Sequence, residues 1–208
     1  AAQFDSKLKY YRSEIFENLY LARNRAISKC KGEIITFLDC DDIWINNKLE
    51  IQLKMFNLQN RYFIYGGYAK IDGKSKLINQ EIYPDKIHLS TNDLLFKNKI
   101  SIGCVMLSAQ LMKRYKFDSF YELLGDFDFW ITISIKNKIF GIKKILEYSR
   151  VHSTNYSLKK NALWMKERRY FYKKFIRKFG IKYPIIFIYI LRVELKELSR
   201  LTKKFLKL

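Results

Sequence analysis

Residues 33–38, Glu-Ile-Ile-Thr-Phe-Leu, form a short apolar, partly β-branched run that stops abruptly at Asp39-Cys40-Asp41-Asp42. A run of this length reads as a buried strand. Upstream, Ile15, Leu19, Ala22 and Ile27 recur at roughly helical spacing, which predicts a helix over 14–29, and Lys31-Gly32 punctuates it. Downstream of Trp44, Leu49, Leu53 and Phe56 recur at i, i+4 and i+7, which predicts a second helix. Helix, strand, helix is the pattern of an α/β protein built on a mixed, mostly parallel sheet flanked by helices. In such sheets ligands sit beyond the carboxyl ends of the strands, where this acidic cluster falls.

The remaining pattern continues the same architecture. Strands are expected over 62–71, 77–83, 101–108 and 143–151, with Asp72-Gly73 as a tight turn. Helices are expected over 93–96, 109–116 and 126–135, the last with acids in its first turn, where the helix dipole favours them. Two basic helices follow over 163–178 and 184–207, joined near Gly180. With 208 residues, 49% of them hydrophobic, the chain can bury a core of its own. We divide it into a domain over 1–158 and a basic amphipathic helical tail over 159–208.

Charge is unevenly spread. Residues 159–208 hold 16 basic and 3 acidic residues, against 24 and 17 in the rest, within a net charge of +20. Such an excess attracts polyanions: nucleic acid, anionic lipid or phosphorylated small molecules. The longest apolar run, residues 183–191, is too short to span a bilayer, which needs about 20 residues. Cys30, Cys40 and Cys104 form no zinc-like or disulfide-like spacing, which fits a reducing, cytoplasmic setting.

Three constellations could carry chemistry. Asp39 and Asp41, with Asp42 beside them, are crowded carboxylates that a divalent ion with hard oxygen ligands would reconcile. The alternative is a polar turn whose acids cap the next helix. Asp126 and Asp128, set among Phe127, Phe129 and Trp130, could include a general base in a partly desolvated pocket, or could simply open a helix. His152, just after a strand, could ligate the same metal or be a satisfied structural residue.

Taken in order, these segments resemble a known family. Leu21-Ala22-Arg23-Asn24, Lys31-Gly32-Glu33, the Leu38-to-Trp44 stretch, Lys48-Leu49-Glu50 with Gln52, Asp126-to-Trp130 and Tyr148-to-His152 resemble a family 2 glycosyltransferase of the GT-A fold. The resemblance covers roughly 15–160. It implies an inverting, hexosyltransferase-like enzyme that moves a sugar from a nucleotide diphosphate to a hydroxyl of a glycan or lipid-linked acceptor in polysaccharide or lipopolysaccharide synthesis. Asp41 would then hold a Mn²⁺ or Mg²⁺ ion on the diphosphate, Asp39 would serve the ribose or the metal, and His152 would complete the metal site. Arg23 would offer charge to the diphosphate, Asp126 would be the general base, and Asp128 and Trp130 would face the acceptor.

Two positions depart from the family pattern: Gly125 stands where glutamate is usual and Asn46 where proline is common. The family's opening strands, which bind base and ribose, are also missing: about 60 residues, so the domain is expected to be partial. The basic tail, with Trp164, Tyr170, Phe171 and Phe175 among lysines, could lie on an anionic membrane at the inner face of the cell membrane, or pack on the domain. Two other functions stay open: an inactive remnant serving as an interaction module, and a basic nucleic-acid-binding protein, for which no motif is present.

Overall fold

A computed structural model of the chain describes residues 8–15, 17–57, 62–152 and 161–205. The first helix, α1 (Leu19–Lys29), starts five residues later than the apolar spacing predicted. Asn18 explains the start: its side chain accepts the Leu21 amide at 2.9 Å and caps the helix. Of the 33–38 run only β1 (Ile34–Ile35) is laddered. Just past it, the Thr36 hydroxyl donates to the Val105 carbonyl at 2.7 Å, so a side chain takes over where the backbone ladder stops.

The acidic loop leads into β2 (Ile43–Trp44) and α2 (Lys48–Asn57). The centre of the sheet is β3 (Phe63–Ile71), which turns at Asp72 into β4 (Leu77–Ile82). The Asp72 carboxylate builds that turn by accepting the amides of Lys74 and Lys76 at 2.9 and 2.8 Å. Then come β5 (His88–Leu89) and α3 (Thr91–Phe96), the helix opened by a capping box between Ser90 and Asp93. A 3₁₀ turn at Ile102–Cys104 precedes β6 (Val105–Ser108), and α4 (Ala109–Arg114) follows with Ser108 as its cap. The helix α5 (Gly125–Ser134) and the strand β7 (Ile139–Arg150) complete the α/β part. Two long helices end the described chain, α6 (Asn161–Phe179) and α7 (Ile185–Phe205).

The sheet is mixed and curled, in the order β1-β6-β3-β7-β2, with β4 on β3 and β5 on β7. Its parallel share is smaller than the sequence led us to expect. Among the described strands only the β3–β7 pair is parallel, and the other five pairings are antiparallel. That parallel pair runs from Ile64 opposite Phe140 to Ile71 opposite Arg150, and it carries the end of β7 to the acidic loop.

The main core is aromatic, and a smaller apolar cluster of Ile64, Met106 and Ile142 forms separately from it. Phe117 stacks on Phe129 with centroids 4.2 Å apart, and Phe63 lies 5.0 Å from Trp130. Phe171, Phe175 and Ile186 of the last two helices belong to the same buried cluster, with Phe171 4.9 Å from Phe127. The helices α6 and α7 are therefore packed on the α/β part through an apolar face. A second apolar face of α7 points outward: Phe187, Ile188, Leu191, Leu195 and Leu198 are all exposed. No helix among the described residues is long and apolar enough to cross a membrane.

Candidate active site

The acidic loop is held open by its neighbours. The Asp42 amide donates to the Asp39 carbonyl at 3.2 Å, which makes the loop a tight turn. Arg150, the last residue of β7, then clamps it: its amide donates to Asp42 Oδ1 at 2.8 Å and its Nε to the Asp41 carbonyl at 2.7 Å. Its Nη1 reaches the Asp72 carbonyl and the Ser75 hydroxyl at 3.0 and 2.9 Å. With its backbone and neighbours satisfied in this way, Asp41 presents its carboxylate outward. There Asp41 Oδ2 lies 3.1 Å from His152 Nε2, both side chains about one-third exposed.

Asp39 goes elsewhere. Its Oδ1 is 2.6 Å from Nη2 of the nearly buried Arg23 on α1. The structure thus brings Asp41 and His152 together, while Asp39 is joined to Arg23. Among the described residues no cluster of three or more His, Cys, Asp or Glu side chains forms that could hold a metal. Asp41 and His152 do fit a divalent ion in one respect: Mg²⁺ and Mn²⁺ sites commonly take one or two protein ligands and complete the shell with phosphate oxygens and water.

Behind the loop lies a buried polar cluster. Lys48 is 1% exposed, and its Nζ donates to Thr36 Oγ1 at 2.9 Å and Gln52 Oε1 at 2.7 Å, 4.1 Å from the Trp44 ring. Burial lowers its pKa to about 8. Glu147, fully buried, takes the Cys104 thiol at 2.9 Å, and burial pushes its pKa up to about 7. Burial raises Asp42 as well. Gly103 leaves room for this carboxylate, since a Cβ there would stand 2.2 Å from Glu147 Oε1.

Asp126 sits in the first turn of α5. Its Oδ1 accepts the Phe127 amide at 2.7 Å and the Tyr20 hydroxyl at 3.4 Å. Burial dominates its titration and raises the pKa to about 6; the hydrogen bond from Phe127, Arg23 and Tyr20 pull in the other direction. Tyr20 also explains Gly125, because a Cβ there would lie 2.6 Å from the tyrosine ring. The guanidinium carbon of Arg23 stands 5.6 Å from the same ring, so α1 links the acidic loop to Asp126 through two neighbouring side chains.

Glu167 of α6, fully buried, fixes the approach to this helix. Its carboxylate accepts the amides of Glu122, Leu123 and Leu124 at 2.7, 3.1 and 2.8 Å, at the positive end of α5. Asp126 in turn lines a cleft of about 430 Å³ between α3, α5, α6 and α7.

The two residues expected on the acceptor side point inward. Trp130 is 0% exposed within the aromatic core. Asp128 is 6% exposed, bonded to Lys174 Nζ at 2.9 Å and to the Tyr121 hydroxyl at 3.3 Å. Successive helix positions turn by about 100°, so Asp126 and Asp128 lie on different faces of α5.

The mixed sheet thus carries an accessible carboxylate–imidazole pair at one end and a desolvated acid at a second place. A family model described as "Glycosyl transferase family 2" matches residues 1–120, and the chain belongs to that family. It is 36% identical over 140 residues to the UDP-Glc:alpha-D-GlcNAc-diphosphoundecaprenol beta-1,3-glucosyltransferase WfgD of Escherichia coli, covering 66% of this chain and 53% of that protein. It is 30% identical to an uncharacterized glycosyltransferase of Rickettsia bellii over 73% of this chain and 22% of the other. The chain therefore spans about half or less of these relatives. The crystal structure of S. aureus TarS 1-349 in complex with UDP-GlcNAc shares the GT-A fold, with a TM-score of 0.54 at 13% identity over 76% of this chain and 47% of its own.

Proposed function

We propose that this chain belongs to an inverting hexosyltransferase, which moves a sugar from a uridine-diphosphate donor to a hydroxyl of a lipid-linked sugar diphosphate. The observation that carries the reading is Asp126: a carboxylate with a raised pKa, at the edge of a cleft, tied through Tyr20 and Arg23 to the acidic loop. The donor and acceptor classes are supported by what the E. coli relative acts on and by the nucleotide sugar bound to TarS.

In this mechanism Asp126 takes the proton of the attacking acceptor hydroxyl. The oxygen–carbon bond forms at the anomeric centre on one face while the carbon–phosphate-oxygen bond breaks on the other, and the nucleoside diphosphate departs with that electron pair. Burial makes the Asp126 carboxylate basic enough to accept the proton, and the Tyr20 hydroxyl holds it in place. Arg23 neutralises Asp39 and lends positive potential between the two acidic places. Asp41 and His152 would hold a Mn²⁺ or Mg²⁺ ion. When bound, the ion would neutralise the charge of the leaving diphosphate.

The exposed apolar face of α7, on a strongly basic segment, supports a peripheral position at an anionic, inner membrane surface, where a lipid-linked acceptor is found.

The test is a transfer assay with UDP-glucose and a GlcNAc-diphosphate-lipid acceptor, followed by proton NMR of the new linkage. Transfer with inversion, lost in Asp126→Asn, supports the reading. Absence of transfer from a panel of UDP-sugars, with the chain folded, would favour an inactive remnant.

A further inference from the structure

The cleft beside Asp126 is lined by four cations, Lys97, Arg168, Arg192 and Lys196, and Asp126 is its one acid among the lining residues. Its volume, about 430 Å³, is that of a ligand-sized site. Two of the cations stand over aromatic rings. The Arg168 guanidinium lies 5.3 Å from the Trp164 ring on α6, and that of Arg192, on α7, lies 4.6 Å from the Phe96 ring at the end of α3. Arg192 Nη1 also donates to the Phe96 carbonyl at 2.9 Å, which fixes its position. None of the four takes part in a salt bridge among the described residues, whereas other basic residues of α6 do, with Lys174 on Asp118 and Asp128 and Arg169 on Glu194.

Cations gathered around a carboxylate-edged cleft, stacked on rings and short of acidic partners, are arranged for an anion. In the proposed reading the donor diphosphate is held at Asp41 and His152 through a divalent ion. The cleft needs none. We infer that Lys97, Arg168, Arg192 and Lys196 bind the diphosphate of the acceptor, with its sugar between them and Asp126. This deepens and rests on the proposed transferase reading. The chemistry is consistent: in a sugar 1-diphosphate the anionic group at C1 and the reacting hydroxyl are carried by different carbons of one ring. A cation-lined outer cleft and a base at its inner edge match those two ends. The lipid chain would leave along α7, whose apolar residues Leu191 and Leu195 are exposed beside Arg192 and Lys196.

The test is calorimetric titration of the chain in EDTA with the decyl diphosphate ester of GlcNAc, beside the neutral decyl glycoside of GlcNAc. The diphosphate ester is expected to bind without metal, more weakly as salt rises, and at least about tenfold more tightly than the neutral glycoside. Arg192→Gln with Lys196→Gln, both exposed positions, should lower that affinity about tenfold or more while leaving the melting temperature in place. Arg168→Gln alone should weaken it as well, and inorganic pyrophosphate should compete. Equal binding of the neutral glycoside, or an unchanged affinity in the folded double variant, would overturn the inference. Arginine-dependent binding in a chain that transfers no sugar would leave the cleft assigned and remove the transferase reading instead.

Discussion

His152 Nε2 lies 3.1 Å from Asp41 Oδ2, which joins the end of the last strand to the acidic loop across 111 residues of sequence. The contact exists because β7 runs parallel to β3 and against β2, so that its end is delivered to the loop, and because Arg150 then ties the two together. In the proposed reading Asp41 and His152 would be two ligands of a divalent ion, with diphosphate oxygens and water completing its shell.

His152→Ala should therefore weaken Mn²⁺-dependent binding of UDP by about tenfold to a hundredfold, with little change in metal-free binding. Calorimetry with and without Mn²⁺ reads both quantities, and equal loss in the two conditions would place His152 outside the metal site.

The pH dependence follows from Asp126. Its pKa in the fold, about 6, lies above the ordinary aspartate value of 3.8, so the protonated form is favoured by folding. A base must be ionised to act, so kcat/KM should rise with pH through about 6 and level off above it. The same shift has the opposite sign in stability: this group's contribution is full below about pH 4 and is lost as pH rises through about 6. Asp126→Asn should remove that stability slope and lower turnover by about 10² or more, with donor binding kept. A normal acid limb in the variant would exclude Asp126 as the base.

Glu167 offers a test of long-range positioning. Glu167→Ala leaves three amides before α5 without their acceptor, two of them, at Leu123 and Leu124, drawing on the same oxygen. A loss of about 3 kcal/mol is expected, which for a chain of this size lowers the melting temperature by on the order of 10 °C. A melt unchanged within about 2 °C would contradict the role.

Trp130 and Asp128 separate core from acceptor contact. Trp130→Ala should cost about 3–5 kcal/mol of stability through cavity formation, with the acceptor KM of the remaining folded enzyme unchanged. Asp128→Asn breaks the contact with Lys174 and should likewise act on the melting temperature. A raised acceptor KM in a fully stable Trp130 variant would return that residue to the site.

The sequence made legible what depends on local pattern. Asp39 and Asp41 were placed by an apolar run that stops at acids, Asp126 by a helix start, and His152 by its position after a strand. Pattern does not say which distant group satisfies a given charge. The spacing sets Asp39 beside Asp41 but gives no sign that its carboxylate is joined to Arg23. Lys48 opens an amphipathic helix, and no local pattern says that it is buried with Thr36 and Gln52. Glu167, a lone acid in a basic stretch, had only its rarity as a signal; its function depends on backbone amides more than 40 residues away. Asp128 and Trp130 shared a motif with Asp126, but helical rotation sends them to other faces. The parallel share of the sheet was overestimated because alternation of helix and strand does not report strand direction once hairpins such as β3–β4 intervene.

The most direct measurement is calorimetric titration of the chain with uridine diphosphate, with and without Mn²⁺, beside Asp41→Asn. Binding heat that requires Mn²⁺ and disappears in the variant is the expected result. Binding of equal strength without metal, or retained in Asp41→Asn, would contradict an acidic loop that holds the diphosphate through a divalent ion.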